Sequence, residues 1–249
     1  TVEWEHIDYF KTFNQTLSAF KRFLSRVPTK GYIVANHDDT HIRAIVNAQK
    51  KVKHRKLYSL GNARTAERIR KTMKLLGEHN VSNALGAYEV SRMLGVPDHI
   101  FWKTLKRFMG VGRRMEYKGK LNGALVYDDY GHHPTEIQAT LAGVRAKYKE
   151  RLKYGKLWCV YQPHQFERTK YLFRDFSRAF KNADGVLLLP IYSVLGREKA
   201  SLKKEVSSEK LASAVIQQRT PAFFMPAFAD AVKFLKRSVR KEDIIVVMG

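Results

Sequence analysis

The residues best suited to chemistry lie in one short segment, VYDDYGHHPTE at residues 126–136. An apolar stretch breaks there into two acids, a tyrosine, a glycine and two histidines, and a helical pattern follows. In an open parallel sheet, ligands gather where strands end and helices begin, because helix N-termini present N–H groups and a positive dipole end to anions. This segment therefore predicts a ligand site. The alternative is that Asp128 and Asp129 serve only as turn and cap residues.

A second polar cluster follows the next predicted strand. The apolar and aromatic run at residues 157–161 leads directly into QPHQFERT at 162–169. Further apolar runs at 186–189, 222–225 and 244–248 are separated by helix-length segments. Strands that alternate with helices predict an α/β fold with a parallel sheet covered on both faces. We therefore expect the two histidine clusters to share one edge of that sheet.

The composition is that of a globular protein. The 249 residues are 44% hydrophobic, which is ample for one large domain or two modest ones. The single cysteine, Cys159, excludes a disulfide framework and favours a reducing, cytoplasmic location, and no apolar run is long enough to suggest a membrane span. The net charge of +23 could attract a polyanion, but no helix-turn-helix, zinc-finger or RNP-type motif accompanies it. We therefore expect neither membrane insertion nor nucleic acid as the main partner.

The first half of the chain offers two candidates with open alternatives. The opening residues Glu3, Glu5, His6 and Asp8 could hold a divalent cation, or could simply complement a helix dipole. The segment GVGRR at 110–114 could bring guanidinium groups close to phosphate or carboxylate, or could be a solvated loop. The basic stretch at 61–74 is weakly helical and has no assigned role.

Four longer motifs occur in order, and together they resemble the Mur ligases of peptidoglycan synthesis. They are GEHNVSNALGA at 77–87, GVGRRMEYKG at 110–119, VYDDYGHHPTEI at 126–137 and QPHQFERT at 162–169. The opening VEWEHIDYF is similar to a segment of that family's central domain. The resemblance implies two parts: a partial central P-loop ATPase domain over residues 1–115, and a C-terminal Rossmann-like domain with a parallel sheet over residues 116–249.

The resemblance also implies an activity and a set of site residues. In this family ATP phosphorylates a carboxylate and an amine attacks the acyl phosphate, so we expect ATP and Mg²⁺ as cofactors and UDP-N-acetylmuramate and L-alanine as substrates. By motif, Glu3 and His6 would bind magnesium. The nucleotide would meet His79, Asn80, Asn83, Arg114 and Asp129. The amino-acid end would be lined by Tyr130, His132, His164 and Arg168, of which His132 and Arg168 are the expected catalytic residues.

Two departures from the family pattern matter. The chain has no GxxxxGK[ST] motif, so the loop that cradles ATP phosphates and the UDP-binding domain are missing, and we expect an incomplete ligase that is inactive alone. Gln165 stands where many members carry an arginine that helps hold the alanine carboxylate, which leaves Arg168 of that pair. Two alternatives stay open: a Mur ligase that recycles a murein tripeptide, and a non-catalytic basic binding module that retains the fold.

Overall fold

The computed structural model describes residues 2–7, 9–193 and 201–249, so Asp8 of the opening acidic cluster lies outside the described residues. The chain forms two compact units, residues 1–109 and 110–249. None of the helices built by the described residues is long and apolar enough to cross a membrane.

The first unit surrounds a short parallel strand pair with helices. The strands are β1 (Tyr32–Asn36) and β2 (His54–Tyr58), joined in parallel register. The helices are α1 (Phe13–Ser25), α2 (Thr40–Ala48), α3 (Ala63–Thr72), α4 (Glu78–Met93) and α5 (Asp98–Arg107). The stretch that sequence analysis left without a role contains α3, which buries Ala66 and Ile69 completely against α4 and α5. That basic segment therefore has a packing role.

The second unit alternates strands and helices through most of its length. Its strands are β3 (Glu116–Leu121), β4 (Ala124–Asp129), β5 (Leu157–Tyr161), β6 (Gly185–Leu188), β7 (Ala222–Phe224) and β8 (Ile244–Met248). Its helices are α6 (Pro134–Lys147), α7 (Phe166–Tyr171), α8 (Phe173–Arg178), α9 (Leu202–Glu205), α10 (Ser208–Gln217) and α11 (Phe228–Ser238). The α/β class predicted from the sequence is confirmed.

The strands of this unit form one sheet of order β3-β4-β8-β5-β6-β7. All neighbouring pairs are parallel except β3–β4, which is an antiparallel hairpin. The sheet is therefore parallel, as predicted, apart from the antiparallel edge strand β3. β3 is basic and largely solvated, so it has no apolar run, but Asn122 and Gly123 both adopt positive φ. The Asn-Gly pair is a known hairpin signal and could have revealed β3.

The central strands carry the core of the second unit. Leu157, Cys159, Leu187 and Val246 are fully buried, as expected for strands covered by helices on both faces. β8 lies between β4 and β5 and is parallel to both, so the carboxyl ends of the three strands lie at the same side of the sheet. The two polar clusters identified in the sequence follow β4 and β5 at that side.

Candidate functional site

Asp129 ends β4 with its carboxylate turned toward the backbone. Its Oδ2 accepts a hydrogen bond from the Met115 N–H at 3.0 Å and its Oδ1 accepts one from the Gly131 N–H at 2.8 Å. Burial raises the pKa of Asp129, while these N–H groups oppose the rise. A Cβ at Gly131 would lie 2.8 Å from Oδ1, so the turn needs glycine there. Asp129 anchors the turn, and its contact with a nucleotide stays a prediction.

The N-terminus of α6 is closed by a capping box. Glu136 accepts hydrogen bonds through Oε2 from the His132 N–H at 3.0 Å and the His133 N–H at 3.1 Å. His133 Nδ1 in turn accepts from the Thr135 N–H at 3.3 Å, and Pro134 opens the helix. Burial would raise the pKa of Glu136, but the two N–H groups and the nearby positive charges outweigh it and lower the pKa. The Glu136 carboxylate thus binds the N–H groups of His132 and His133, which the sequence predicted to be available to an anionic ligand.

The paired arginines are tied to the same turn. Arg114 Nη1 lies 3.2 Å from Glu136 Oε1, and Arg113 Nε lies 3.4 Å from Asp128 Oδ2. The Arg113 and Arg114 guanidinium carbons lie 4.8 and 5.8 Å from the ring centre of Tyr130, within the range of cation–π attraction. The GVGRR segment is therefore an exposed loop whose arginines are paired with the turn after β4, and its contact with an anionic ligand stays a prediction.

The two histidine clusters meet, as the order of strands and helices predicted. The rings of His132 and His164 are stacked with centroids 6.5 Å apart, and His164 lies 5.1 Å from the ring of Tyr192. His132 Nδ1 is 3.0 Å from the Tyr130 carbonyl oxygen. A carbonyl only accepts, so this hydrogen bond requires the hydrogen on Nδ1 and makes Nε2 the acceptor nitrogen of the neutral ring. Burial lowers the pKa of His164, and the positive charges of His132 and Arg168 lower it further.

Arg168 lies on α7 and is only 7% exposed. The positive charge of Arg168 lowers the pKa of His164 and opposes the burial that raises the pKa of Tyr161. The Tyr161 hydroxyl donates to the His132 carbonyl at 3.1 Å. A buried guanidinium needs an anionic or polar partner, which suits recognition of a carboxylate. Gln165 precedes α7 with a positive φ of 69° and donates its N–H to the Tyr192 carbonyl at 2.8 Å.

The nucleotide candidates of the first unit share the N-terminal turns of α4. His79 and Asn83 are exposed, whereas Asn80 is half-buried and donates through Nδ2 to the Leu76 carbonyl at 2.7 Å. Gly77 has a φ of +87°, and a Cβ there would lie 2.6 Å from the His79 ring. The glycine therefore lets the imidazole fold back over the start of the helix. Asn80 serves the loop, while His79 and Asn83 present polar groups at the surface.

The magnesium candidates lie at the start of the chain. Glu3 is half-buried, and His6 is exposed with a positive φ of 51°. Among residues 2–7, 9–193 and 201–249, no group of three or more His, Cys, Asp or Glu side chains is placed to hold a metal ion. One carboxylate and one imidazole fit Mg²⁺ only if water or phosphate oxygens complete its coordination.

Three residues shape this site in ways that were not predicted from the sequence: Asp128 pairs with an arginine, His133 caps a helix, and Glu136 holds the turn. The pattern H-P-T-E contained a usable signal for the last two. A polar residue, a proline and then a glutamate at the third helical position are typical of a capped helix start.

The fold and the two histidine clusters define a class of protein, and comparison with known families identifies that class. The family model "Mur ligase middle domain" matches residues 1–91, and "Mur ligase, glutamate ligase domain" matches residues 113–249. The chain belongs to the Mur ligase family, whose members are ATP-dependent ligases.

Its relatives include two enzymes called UDP-N-acetylmuramate–L-alanine ligase. That of Acetivibrio thermocellus is 35% identical and that of Alkaliphilus metalliredigens 31%, in each case over 100% of this chain. The chain spans 55% and 56% of their lengths, about half of each relative.

Solved structures share the fold. The UDP-N-acetylmuramate–alanine ligase of Thermotoga maritima superposes with a TM-score of 0.68 at 18% identity, over 99% of this chain and 54% of that one. A murein peptide ligase of Psychrobacter arcticus superposes with a TM-score of 0.62 at 22% identity, over 98% of this chain and 52% of that one.

Proposed function

We propose that this chain is the middle and C-terminal part of a cytoplasmic ligase that uses ATP to join L-alanine to UDP-N-acetylmuramate. The observation that carries the proposal is the end of the second sheet where His132 and His164 stack and where α7, which carries the buried Arg168, begins. An acceptor imidazole nitrogen and a buried cation are what an amino acid needs for loss of an ammonium proton and for recognition of its carboxylate.

In this proposal His132 and Arg168 have separate roles. The amino group of L-alanine must lose a proton before or during attack, and His132 Nε2 can accept it because Nδ1 is held by the Tyr130 carbonyl. The guanidinium of Arg168 would bind the amino-acid carboxylate and orient the amine. Tyr130 and His164 would line the same end of the site, where the depressed pKa of His164 favours its neutral ring at neutral pH.

The nucleotide would be held by a second set of residues. The residues proposed for the nucleotide are His79, Asn80, Asn83, Arg114 and Asp129, with Asn83 near the adenine. Glu3 and His6 would hold Mg²⁺, which neutralises charge on the transferring phosphoryl group when it is bound. Asn80 and Asp129 would act through the backbone that they hold, because the Asn80 amide and both Asp129 carboxylate oxygens are engaged there.

The test is ADP release by the natural protein that contains this chain. Release should require both UDP-N-acetylmuramate and L-alanine, and glycine or L-serine should replace L-alanine poorly. The present chain alone should release no ADP, because it lacks a GxxxxGK[ST] loop. Turnover by the chain alone, or a natural protein indifferent to L-alanine, would contradict the proposal.

The alternatives predict different outcomes in the same assay. A murein-tripeptide-recycling ligase would release ADP with the tripeptide in place of L-alanine. A non-catalytic module would release none with any substrate, but would bind a polyanion with a steep dependence on salt, because its affinity would come from the basic surface. L-alanine-dependent turnover excludes both.

A further inference from the structure

We infer that Glu136 is a positioning residue that fixes the guanidinium of Arg114 relative to the backbone of His132. The inference rests on the proposed function, in which Arg114 faces the phosphates and His132 faces the incoming amine. Glu136 would then set the spacing between the phosphates and the amine through Arg114 and His132, and its Oε2 also lies 3.9 Å from Nδ1 of His132.

The geometry gives the two carboxylate oxygens different tasks. Oε2 accepts the N–H groups of His132 and His133 at 3.0 and 3.1 Å and so fixes the turn after β4. Oε1 accepts from Nη1 of Arg114 at 3.2 Å, in a loop 22 residues earlier in the sequence. The Tyr130 N–H donates to the Arg113 carbonyl at 2.7 Å and so already joins the backbones of these two segments. The Glu136 carboxylate adds a link from the turn to the side chain of Arg114, which the backbone does not fix.

The link to Arg114 exceeds what helix capping requires. A capping box needs one acceptor oxygen on the third helical residue, and glutamine serves there as well as glutamate. Only a charged carboxylate also forms a charge-assisted bond to the guanidinium, which is stronger than a neutral one. Both side chains are partly shielded from water, with exposed fractions of 44% for Arg114 and 32% for Glu136. The pair is accordingly less screened than a fully solvated one.

A glutamine substitution separates the two tasks. In Glu136→Gln the amide oxygen can still accept the two N–H groups, while the charge on Arg114's partner is lost. Glu136→Ala removes both the cap and the ion pair. Glu242→Gln is the matched control. Glu242 pairs with Arg151 at 3.6 Å and precedes the start of β8, so it lies at the amino ends of the strands, away from the two histidine clusters.

Kinetics of the natural protein give the first readout. Glu136→Gln should lower kcat about three- to tenfold, since a mobile Arg114 no longer meets the phosphates in one geometry. The KM for L-alanine should change less than twofold, because the backbone of His132 remains held. In an Arg114→Ala background, Glu136→Gln should have less than a twofold further effect, as expected if it acts through Arg114. A kcat for Glu136→Gln equal to that of Glu242→Gln, or effects that multiply in the double variant, would overturn the inference.

A second readout does not depend on turnover. In this chain, ¹⁵N relaxation of the Arg114 Nε–Hε group should report an ordered side chain that becomes mobile in Glu136→Gln and stays ordered in Glu242→Gln. If Arg114 is released but the natural protein shows no L-alanine-dependent turnover, the proposed function fails while the positional link stands. If Arg114 keeps its order in Glu136→Gln, the inference fails whatever the activity.

Discussion

Replacing Asp129 with asparagine separates an anchoring role from a ligand role. Asparagine has the shape of aspartate, but it offers one acceptor oxygen where the carboxylate offers two. In the structure both oxygens accept backbone hydrogen bonds, from Met115 at 3.0 Å and from Gly131 at 2.8 Å. The variant must therefore leave one of these N–H groups facing an amide NH₂.

The magnitude follows from burial and charge. Asp129 is 3% exposed, and an unsatisfied buried donor costs about 1–3 kcal/mol. Burial raises the pKa of Asp129 above its usual 3.8, so the native state binds a proton more readily than the unfolded chain does. Ionisation of Asp129 therefore removes stability as the pH rises from 3.8 through the native pKa. Asparagine lacks that cost, which places the expected net loss at pH 7 near the lower end of the range, about 1 kcal/mol.

The assay is urea unfolding of this chain with Trp4 and Trp102 replaced by phenylalanine, so that Trp158 reports the second unit alone. Asp128→Asn is the matched control, because Asp128 is the neighbouring carboxylate on β4 and its partner at 3.4 Å, Arg113, is 50% exposed, so the pair contributes little. Asp129→Asn should cost clearly more than the control. A loss equal to that of the control would refute the anchoring argument.

Three further predictions concern the site and the sheet. Arg168→Ala in the natural protein should raise the KM for L-alanine about 10- to 100-fold and change that for ATP less than twofold, because it removes a charge-assisted contact to the carboxylate; unaltered alanine kinetics would contradict it. Glu3→Gln or His6→Ala should shift the Mg²⁺ dependence of turnover to higher concentration, and an unchanged titration would exclude their role as ligands. Gly155→Ala should destabilise the second unit by about 1–3 kcal/mol in urea unfolding, because the added carbon would overlap the carbonyl oxygen of Glu242; a wild-type midpoint would disprove that close approach.

Much of the second unit was predictable from local pattern. The runs at 157–161 and 244–248 form strands with the predicted bounds, and the helix-length segment between the runs at 186–189 and 222–225 contains α10. These segments are apolar or clearly amphipathic, so their hydrophobic pattern indicates both the type of element and the face that is buried. β3 was not predicted because an exposed edge strand needs no apolar run. The stretch that contains α3 was predicted only as weakly helical, because four of the ten residues of α3 are basic.

The site was predictable by residue type and less so by contact. Strand order brings His132 and His164 together, which the alternation of elements could indicate. The orientation of a carboxylate depends on which N–H groups the fold places near it, and these come from distant segments. Asp129 was assigned to a nucleotide by the resemblance, and its hydrogen bond from the Met115 N–H was not predicted because the β3–β4 hairpin that brings the two residues together was not.

The central position of β8 affects how the second unit forms on the ribosome. β4 and β5 are both translated well before β8, the strand that joins them. At a synthesis rate of about 5–20 residues per second, β5 waits on the order of ten seconds for its neighbour. During that interval the β3–β4 hairpin and the β5–β6–β7 group can exist only as separate pieces, each with an open edge able to pair with other chains. The sheet therefore becomes continuous, and His132 and His164 come together, only after β8 has been synthesised at the end of this chain.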